Sequence, residues 1–242
     1  MSKTSRKIAS MATAASLAGG VLLATSAAQA AFVEVRDGNG GDVFNGGPGA
    51  VGLTINVNGN NLGVSAGAFA LQYRLAPGDP WTDFTTYCLE PDESLSLNGL
   101  TPVSGTLAAD IASTVEYAGV ANSVMRLYAT WFADSMTSAT KSAAFQVALW
   151  EITHDTGSDL GAGTFQMQTP GAVQTLAVSY LNPLGWALPG DLGVILRVGN
   201  QDLLIETEGG TTPEAIPEPG TLALLGLGLA GLAAARRRRA RG

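Results

Sequence analysis

The spacing of apolar residues changes twice along the chain, and this change restricts the available folds most. Between residues 31 and 98, short alternating runs such as ALQYRL and WTDFTTYC are separated by glycine. From about 108 to 155 glycine is rare and apolar residues recur every three or four positions, and after 157 strand-like runs return. These periods are typical of strands and helices respectively. The sequence therefore predicts an α+β fold, with an antiparallel β-sandwich or barrel-like body and a three-helix insert at about 105–155.

Individual elements follow from turn residues and from the apolar pattern. Three hairpins are predicted: LTINVNGNNLG about an Asn-Gly turn, ALQYRL with WTDFTTYC across APGDP, and VILRVGNQDLLIET about Gly-Asn-Gln-Asp. The predicted helices are AADIASTVEYAG, NSVMRLYATWFADS and SATKSAAFQVALWEITHD, while TFQMQ and VQTLAVSYL are predicted strands. One face of the second helix is interpreted as core, and it carries Val124, Leu127, Tyr128, Trp131 and Phe132.

The first thirty residues have the pattern of a secretory signal peptide. Lys3, Arg6 and Lys7 precede an apolar run that ends in Ala28-Gln29-Ala30, the small-x-small pattern of a cleavage site. An amphipathic helix of a cytosolic protein is the alternative, which the Ala-x-Ala ending disfavours. We therefore expect export by the Sec machinery and a mature chain that begins at Ala31.

The C-terminal segment has three ordered parts. Pro217-Glu218-Pro219 is followed by an apolar run over 220–235 and then by Arg236, Arg237, Arg238, Arg239 and Arg241. The run is slightly shorter than the roughly 20 residues of a typical transmembrane helix, and the arginines would stay on the cytoplasmic side. The segment resembles the PEP-CTERM sorting signal of Gram-negative bacteria. That resemblance implies processing by an exosortase and release to the envelope, the cell surface or a biofilm matrix, while a retained membrane anchor is the alternative.

The remaining part of the chain is strongly acidic. Between residues 31 and 216 there are five basic residues against nineteen acidic ones, which gives a net charge near −14. Such a surface repels nucleic-acid phosphates and attracts cationic or amine-bearing partners. We expect a body over 31–208, a linker over 209–216 and the sorting tail over 217–242.

Common catalytic and metal-binding motifs are missing from the sequence. With one histidine and one cysteine, the chain lacks the soft ligands of a zinc site. The loop DGNGGDVFNGGPG is rich in Asp, Asn and Gly, but it lacks the regular ligand spacing of a calcium loop. The sequence therefore predicts neither a metal nor a cofactor.

Two polar residues lie where apolar residues are expected. Cys88 ends a predicted strand, and Gln146 lies within the apolar helix sequence AAFQVALW. A buried glutamine must satisfy its amide or lower the stability of the fold. If the Cys88 thiolate attacked the Gln146 side-chain carbonyl, ammonia would leave and a Cys–Gln thioester would form.

The two sequence contexts resemble those of the thioester domains of bacterial surface adhesins. The resemblance covers about Leu71 to Asp155, and the matching positions are Tyr87, Cys88, Phe145, Gln146, Ala148, Leu149 and Trp150. It implies a reactive bond between Cys88 and Gln146, walled by Tyr87, Phe145 and Trp150, that captures an amine-bearing protein or polysaccharide and acts in adhesion. The anchor differs, because the best-known members carry a Gram-positive sortase signal.

Other interpretations remain open from the sequence. Cys88 and His154 could form the nucleophile–base pair of a hydrolase, with Asp155 or Asp159 orienting the histidine. His154 follows Gln146 by eight residues, about 12 Å along a helix, so one cysteine cannot contact both. The chain could also be a structural matrix protein without a reactive bond, or the thioester could be a staple only. We expect a protein that is not an enzyme.

Overall fold

The computed structural model describes residues 31–38, 40–97, 99–155, 157–182, 192–198 and 201–207. Nine strands and three α-helices lie in these ranges, together with a short 3-10 helix at Ile111–Ser113. In chain order they are β1 (Ala31–Asp37), β2 (Ala50–Val57), β3 (Asn60–Gly67), β4 (Phe69–Arg74), β5 (Thr82–Thr86), β6 (Val103–Ala108), α1 (Ala121–Ser135), α2 (Ala139–His154), β7 (Phe165–Met167), α3 (Ala172–Leu181), β8 (Leu192–Val198) and β9 (Gln201–Glu206).

The larger sheet is a nearly closed antiparallel barrel. Its strand order is β5-β4-β1-β6-β8-β9, so β5 and β9 are the two edges. Just after β5 the chain meets β9: the Leu89 amide donates to Asp202 O at 3.0 Å, and the Leu204 amide donates to Tyr87 O at 3.0 Å. Cys88 lies opposite Leu203 in this antiparallel bridge. We call this contact the barrel seam, and Cys88 is its central residue.

Helix α2 lies between the two sheets and the other helices. It packs against α1 and α3 and against β2, β3 and β7, which form the smaller sheet in the order β3-β2-β7. All eleven residues from Ser142 to Ile152 are buried, as expected for a helix with apolar residues on every side. Its start is capped by the Ser138 side chain, which accepts the Lys141 amide.

The three predicted hairpins are confirmed. β2 and β3 pair up to Val57 and Asn60, and the turn residues Asn58 and Gly59 have φ values of 52° and 86°. Two positive φ values are what a tight hairpin turn requires, and Asn-Gly accepts them at low cost. β4 pairs with β5, and β8 pairs with β9. The α+β prediction with an antiparallel, barrel-like body is thereby confirmed.

The three-helix composition of the predicted insert is wrong. AADIASTVEYAG forms no α-helix: its first residue ends β6, and beyond it only Ile111–Ser113 is helical, as a 3-10 turn. There the Thr114 hydroxyl donates to Ile111 O at 2.7 Å and accepts the Tyr117 amide at 3.3 Å, so local side-chain bonds replace a helical ladder. The predicted strand VQTLAVSYL is instead α3, whose buried Val173, Ala177 and Tyr180 follow helical spacing.

Several sequence predictions fall outside the described residues. These are the signal peptide over 1–30, the linker over 209–216 and the sorting tail over 217–242, including its predicted transmembrane run. Among the helices that the structure does describe, none has the length and apolar character needed to cross a membrane.

Candidate functional site

The barrel seam brings the two residues singled out by the sequence into contact. Cys88 is 2% exposed and Gln146 is 1% exposed. The Cys88 amide donates to Gln146 Oε1 at 3.2 Å, and Gln146 Nε2 donates to Cys88 O at 2.7 Å. The glutamine side chain thus pairs with the cysteine main chain as a neighbouring strand would. This pair joins α2 to the barrel across 58 positions of sequence.

The thiol of Cys88 has a specific donor. Trp150 Nε1 lies 3.1 Å from Cys88 Sγ, and Sγ in turn lies 3.8 Å from Glu90 O. Burial raises the pKa of the Cys88 thiol to about 12, and the Trp150 hydrogen bond offsets only part of that shift. The resting side chain is therefore a neutral thiol, with an indole N–H in place to stabilise negative charge on sulfur.

The residues that precede Cys88 and Gln146 in the chain form a buried aromatic contact. Tyr87 and Phe145 are fully buried, with ring centroids 4.5 Å apart. The Tyr87 hydroxyl lies 2.8 Å from Ser135 Oγ and 3.0 Å from Ser142 Oγ, which connects the barrel seam to both α1 and α2. Of the three side chains that the sequence predicted around the pair, Trp150 contacts Cys88 Sγ directly.

His154 makes its contacts away from the thiol. Its Nδ1 lies 3.0 Å from Thr153 Oγ1 and 3.2 Å from Trp150 O, and its Nε2 lies 4.0 Å from Asp92 Oδ1. The Asp155 carboxylate accepts the amides of Thr164 and Phe165, and Asp159 Oδ1 accepts the Gly161 amide. In the part of the chain that the structure describes, these contacts do not form the Cys–His–Asp arrangement of a hydrolase.

Residues 89–93, which we call the covering segment, follow Cys88 and are fastened at several points. Thr153 Oγ1 donates to Leu89 O at 3.0 Å. Gln201 Nε2 donates to Glu90 O at 2.9 Å and to Glu93 O at 3.0 Å. Thr153 and Gln201 were not predicted from the sequence. Because their bonds join residues 64 and more than 100 positions apart, no local pattern could have indicated them.

A group of three carboxylates lies beside the covering segment. One carboxylate oxygen each of Glu90, Glu116 and Asp202 lies within 4.8 Å of the other two. Among the described residues, this is the group of three possible ligands that could bind one metal ion. Carboxylate oxygens suit hard cations such as calcium. Tyr117 donates its hydroxyl to Asp202 Oδ2 at 2.8 Å, and the Asp202 amide donates to Glu90 Oε2 at 3.0 Å.

Two glutamates of this region are protonated more readily than usual. Burial, followed by the charge of Asp202, raises the pKa of Glu90 to about 7. Burial, followed by the charges of Asp155 and Asp159, raises the pKa of Glu151 to about 7. Glu151 is fully buried, and its Oε2 has no hydrogen-bond partner among the described residues. Both side chains therefore stay protonated to a higher pH in the folded protein than in the unfolded chain.

The free energy of unfolding is expected to fall as the pH rises from 4.5 through about 7. Each glutamate has a folded-state pKa above its ordinary value of 4.5, so its contribution is complete below 4.5 and is lost as the folded protein deprotonates. Urea unfolding at a series of pH values measures this slope. Glu151→Gln should flatten it, because the amide cannot ionise, while Asp79→Asn in an exposed turn should leave it unchanged. Equal slopes for the parent and Glu151→Gln would contradict the assignment.

Comparison with known proteins identifies only the C-terminal signal. Residues 215–239 match the family described as the PEP-CTERM protein-sorting motif. No curated protein and no solved structure matches the chain. The motif indicates an exported, cell-surface-associated protein that is recognised by an exosortase, in agreement with the sequence analysis.

Proposed function

Starting from an exported protein with an exosortase sorting motif, we propose that its body forms an internal thioester between Cys88 and Gln146. The bond would capture amine-bearing partners covalently, for adhesion or for attachment to a matrix, as in thioester-domain proteins. The observation that carries this proposal is the two-point pairing of the Gln146 amide with the main chain of Cys88, at 3.2 and 2.7 Å. It holds the Gln146 amide against the main chain of the residue that carries the only thiol of the chain.

Formation of the bond is favoured by the groups around it. The Cys88 amide donates to Gln146 Oε1, so it stabilises the charge that develops on this oxygen when sulfur attacks Cδ. The Sγ–Cδ bond forms, the Cδ–Nε2 bond breaks, and the thiol proton leaves with nitrogen as ammonia. Because the thiol pKa is about 12, proton transfer has to accompany the attack. The folded contact supplies the effective concentration that this step needs.

Capture reverses the chemistry with a new amine. The amine nitrogen attacks Cδ, the Cδ–Sγ bond breaks, and one proton of the amine passes to sulfur. Trp150 Nε1 lies 3.1 Å from Sγ and stabilises the departing sulfur. Each molecule reacts once, so the protein is a single-use reagent and not an enzyme.

The burial of the pair favours a second role for the same bond. With Cys88 and Gln146 both at 2% exposure or less, water reaches the thioester slowly, and so does an amine. Capture requires a local opening that exposes the pair, whereas a cross-link that joins the barrel seam to α2 requires no access. A structural staple is therefore the alternative function, and the rate of reaction with an amine separates the two.

Alkylation of Cys88 tests the thioester. The chain has one cysteine, so mass spectrometry after unfolding in iodoacetamide reports on this residue alone. We expect the parent protein to resist alkylation, and Gln146→Ala to be alkylated fully. Incubation of the parent with methylamine should add a methylamide at Gln146 and free the thiol.

A matched variant and two contrary results complete this experiment. Gln168→Ala, which changes an exposed glutamine of the same chain, should remain as resistant as the parent. Complete alkylation of the untreated parent would show that no thioester forms. The protein would then be a structural one without a reactive bond. Peptide hydrolysis that is lost in both Cys88→Ala and His154→Ala would instead favour a hydrolase.

A further inference from the structure

A second site opens where the barrel fails to close. Beyond the seam, β5 and β9 separate and leave a pocket of about 580 Å³ that α1 covers. Its walls include Thr82–Thr85 of β5 and Ile205–Thr207 at the end of β9. The volume lies in the usual range of small-molecule sites, roughly 300–1,000 Å³, and barrel mouths often hold them. We call this cavity the mouth pocket; neither Cys88 nor Gln146 lines it.

Four aromatic side chains from two walls line the mouth pocket. Tyr73 and Phe84 come from β4 and β5, and their rings meet edge to face at 5.3 Å. Tyr128 and Phe132 come from α1, and their rings stack at 4.2 Å. All four are only partly buried. The pocket is therefore lined by aromatic rings from both the sheet and α1, and aromatic faces carry partial negative charge.

The charged groups of the mouth pocket have one sign. Asp83 and Glu206 line it, and none of its fourteen described lining residues is basic. The Tyr128 hydroxyl donates to Glu206 Oε2 at 3.4 Å, and Gln72 Nε2 donates to Asp83 Oδ1 at 2.7 Å. Glu206 is exposed and contacts Tyr128, whereas the Asp83 carboxylate points to the opposite face of β5 from Phe84, towards Gln72. The combination favours a cation with an apolar surface.

We propose that the mouth pocket binds a small soluble molecule with a trimethylammonium group. Such a cation loses little hydration when it enters an apolar site, and it gains from aromatic faces and from a nearby carboxylate. A lysine-type ammonium is strongly hydrated and fits aromatic walls less well. A negatively charged ligand meets the Glu206 carboxylate and no basic side chain among the lining residues. The site is independent of the thioester, because its lining residues do not include the reactive pair.

Calorimetric titration of the full-length chain in an uncharged maltoside detergent tests this site, with choline as the probe. The control ligand is 3,3-dimethylbutanol, which has the same shape but carries carbon in place of the charged nitrogen. We expect choline to bind at least about tenfold more tightly than this alcohol. Glycerophosphocholine, which represents a lipid headgroup, should bind more weakly than choline because its phosphate meets the acidic rim.

Variants locate the binding and separate it from the thioester. Glu206→Gln and Phe132→Leu should each weaken choline binding about tenfold, while Glu93→Gln, an exposed acid outside the pocket, should not. Because Glu206 is exposed, its variant tests the site even if Phe132→Leu fails to fold. Cys88→Ala should bind choline like the parent, so failure of either proposal leaves the other testable. Equal binding of choline and the alcohol, equal losses in Glu206→Gln and Glu93→Gln, or no binding at millimolar choline would overturn the proposal.

Discussion

Gln146→Leu is expected to lower the free energy of unfolding by about 2–5 kcal/mol through the loss of its hydrogen bonds alone, in a Cys88→Ala background where no thioester can form. The change removes the partner of the Cys88 amide and of the Cys88 carbonyl, at 3.2 and 2.7 Å, and a buried group left without a partner costs about 1–3 kcal/mol. Urea unfolding of Cys88→Ala with and without Gln146→Leu measures the loss. Gln168→Leu, at an exposed position of β7's C-terminal flank, should change stability by no more than about 0.5 kcal/mol.

Comparison of the loss in a Cys88→Ala background with the loss in the parent separates the hydrogen bonds from the cross-link. Without sulfur no thioester forms, so the loss in that background reports the hydrogen bonds alone. In the parent the loss should be larger by a few kcal/mol, because a cross-link that closes an interval of this length restricts the unfolded chain. Identical losses in the two backgrounds would show that the parent contains no cross-link.

Phe145→Ala is expected to cost about 3–5 kcal/mol, as for other buried phenylalanines. Phe145 is 0% exposed and is the ring that joins three others: its centroid lies 4.5 Å from Tyr87, 6.2 Å from Phe132 and 6.4 Å from Tyr128. The smaller side chain leaves a cavity between α1, α2 and the barrel seam. Thermal unfolding followed by circular dichroism measures the effect.

The matched control for Phe145 is Phe32→Ala on β1. Phe32 is 46% exposed, so its truncation removes much less buried area and should cost well under half as much. Similar losses at the two positions would mean that the aromatic cluster is not the core of the molecule. Alkylation of Cys88 in Phe145→Ala, compared with the parent, further shows whether these rings hold Gln146 in reacting position.

The helices were predicted correctly in the long apolar segments and incorrectly in the short ones. NSVMRLYATWFADS and SATKSAAFQVALWEITHD repeat their apolar spacing over about four turns, and both form helices. AADIASTVEYAG has less of this pattern, and Thr114 offers local hydrogen bonds that compete with a helix. VQTLAVSYL is apolar enough for either structure, and packing of α3 against α2 decided for the helix.

The pairing of Cys88 with Gln146 was predicted from the sequence, but several contacts around the pair were not. Cys88 and Gln146 could be paired from residue types and sequence context, since a lone thiol and an amide inside an apolar helix are each unusual. The fastening of the covering segment by Thr153 and Gln201 was not predictable, and neither was the carboxylate group around Glu90. Each depends on which strands meet at the seam, and strand pairing between distant segments leaves little local trace in sequence.

The sequence by itself determined what local interactions control: the hairpin at Asn58-Gly59, the helices α1 and α2, the sorting motif and the acidic charge of the body. The tertiary structure alone decided that β5 and β9 meet at Cys88, that α2 is buried on every side, and that a pocket remains where those strands part. The physical reason is range. A turn or a helix is stabilised by residues a few positions apart, whereas the seam, the pocket and the contact between Cys88 and Gln146 exist only once the barrel has brought distant segments together.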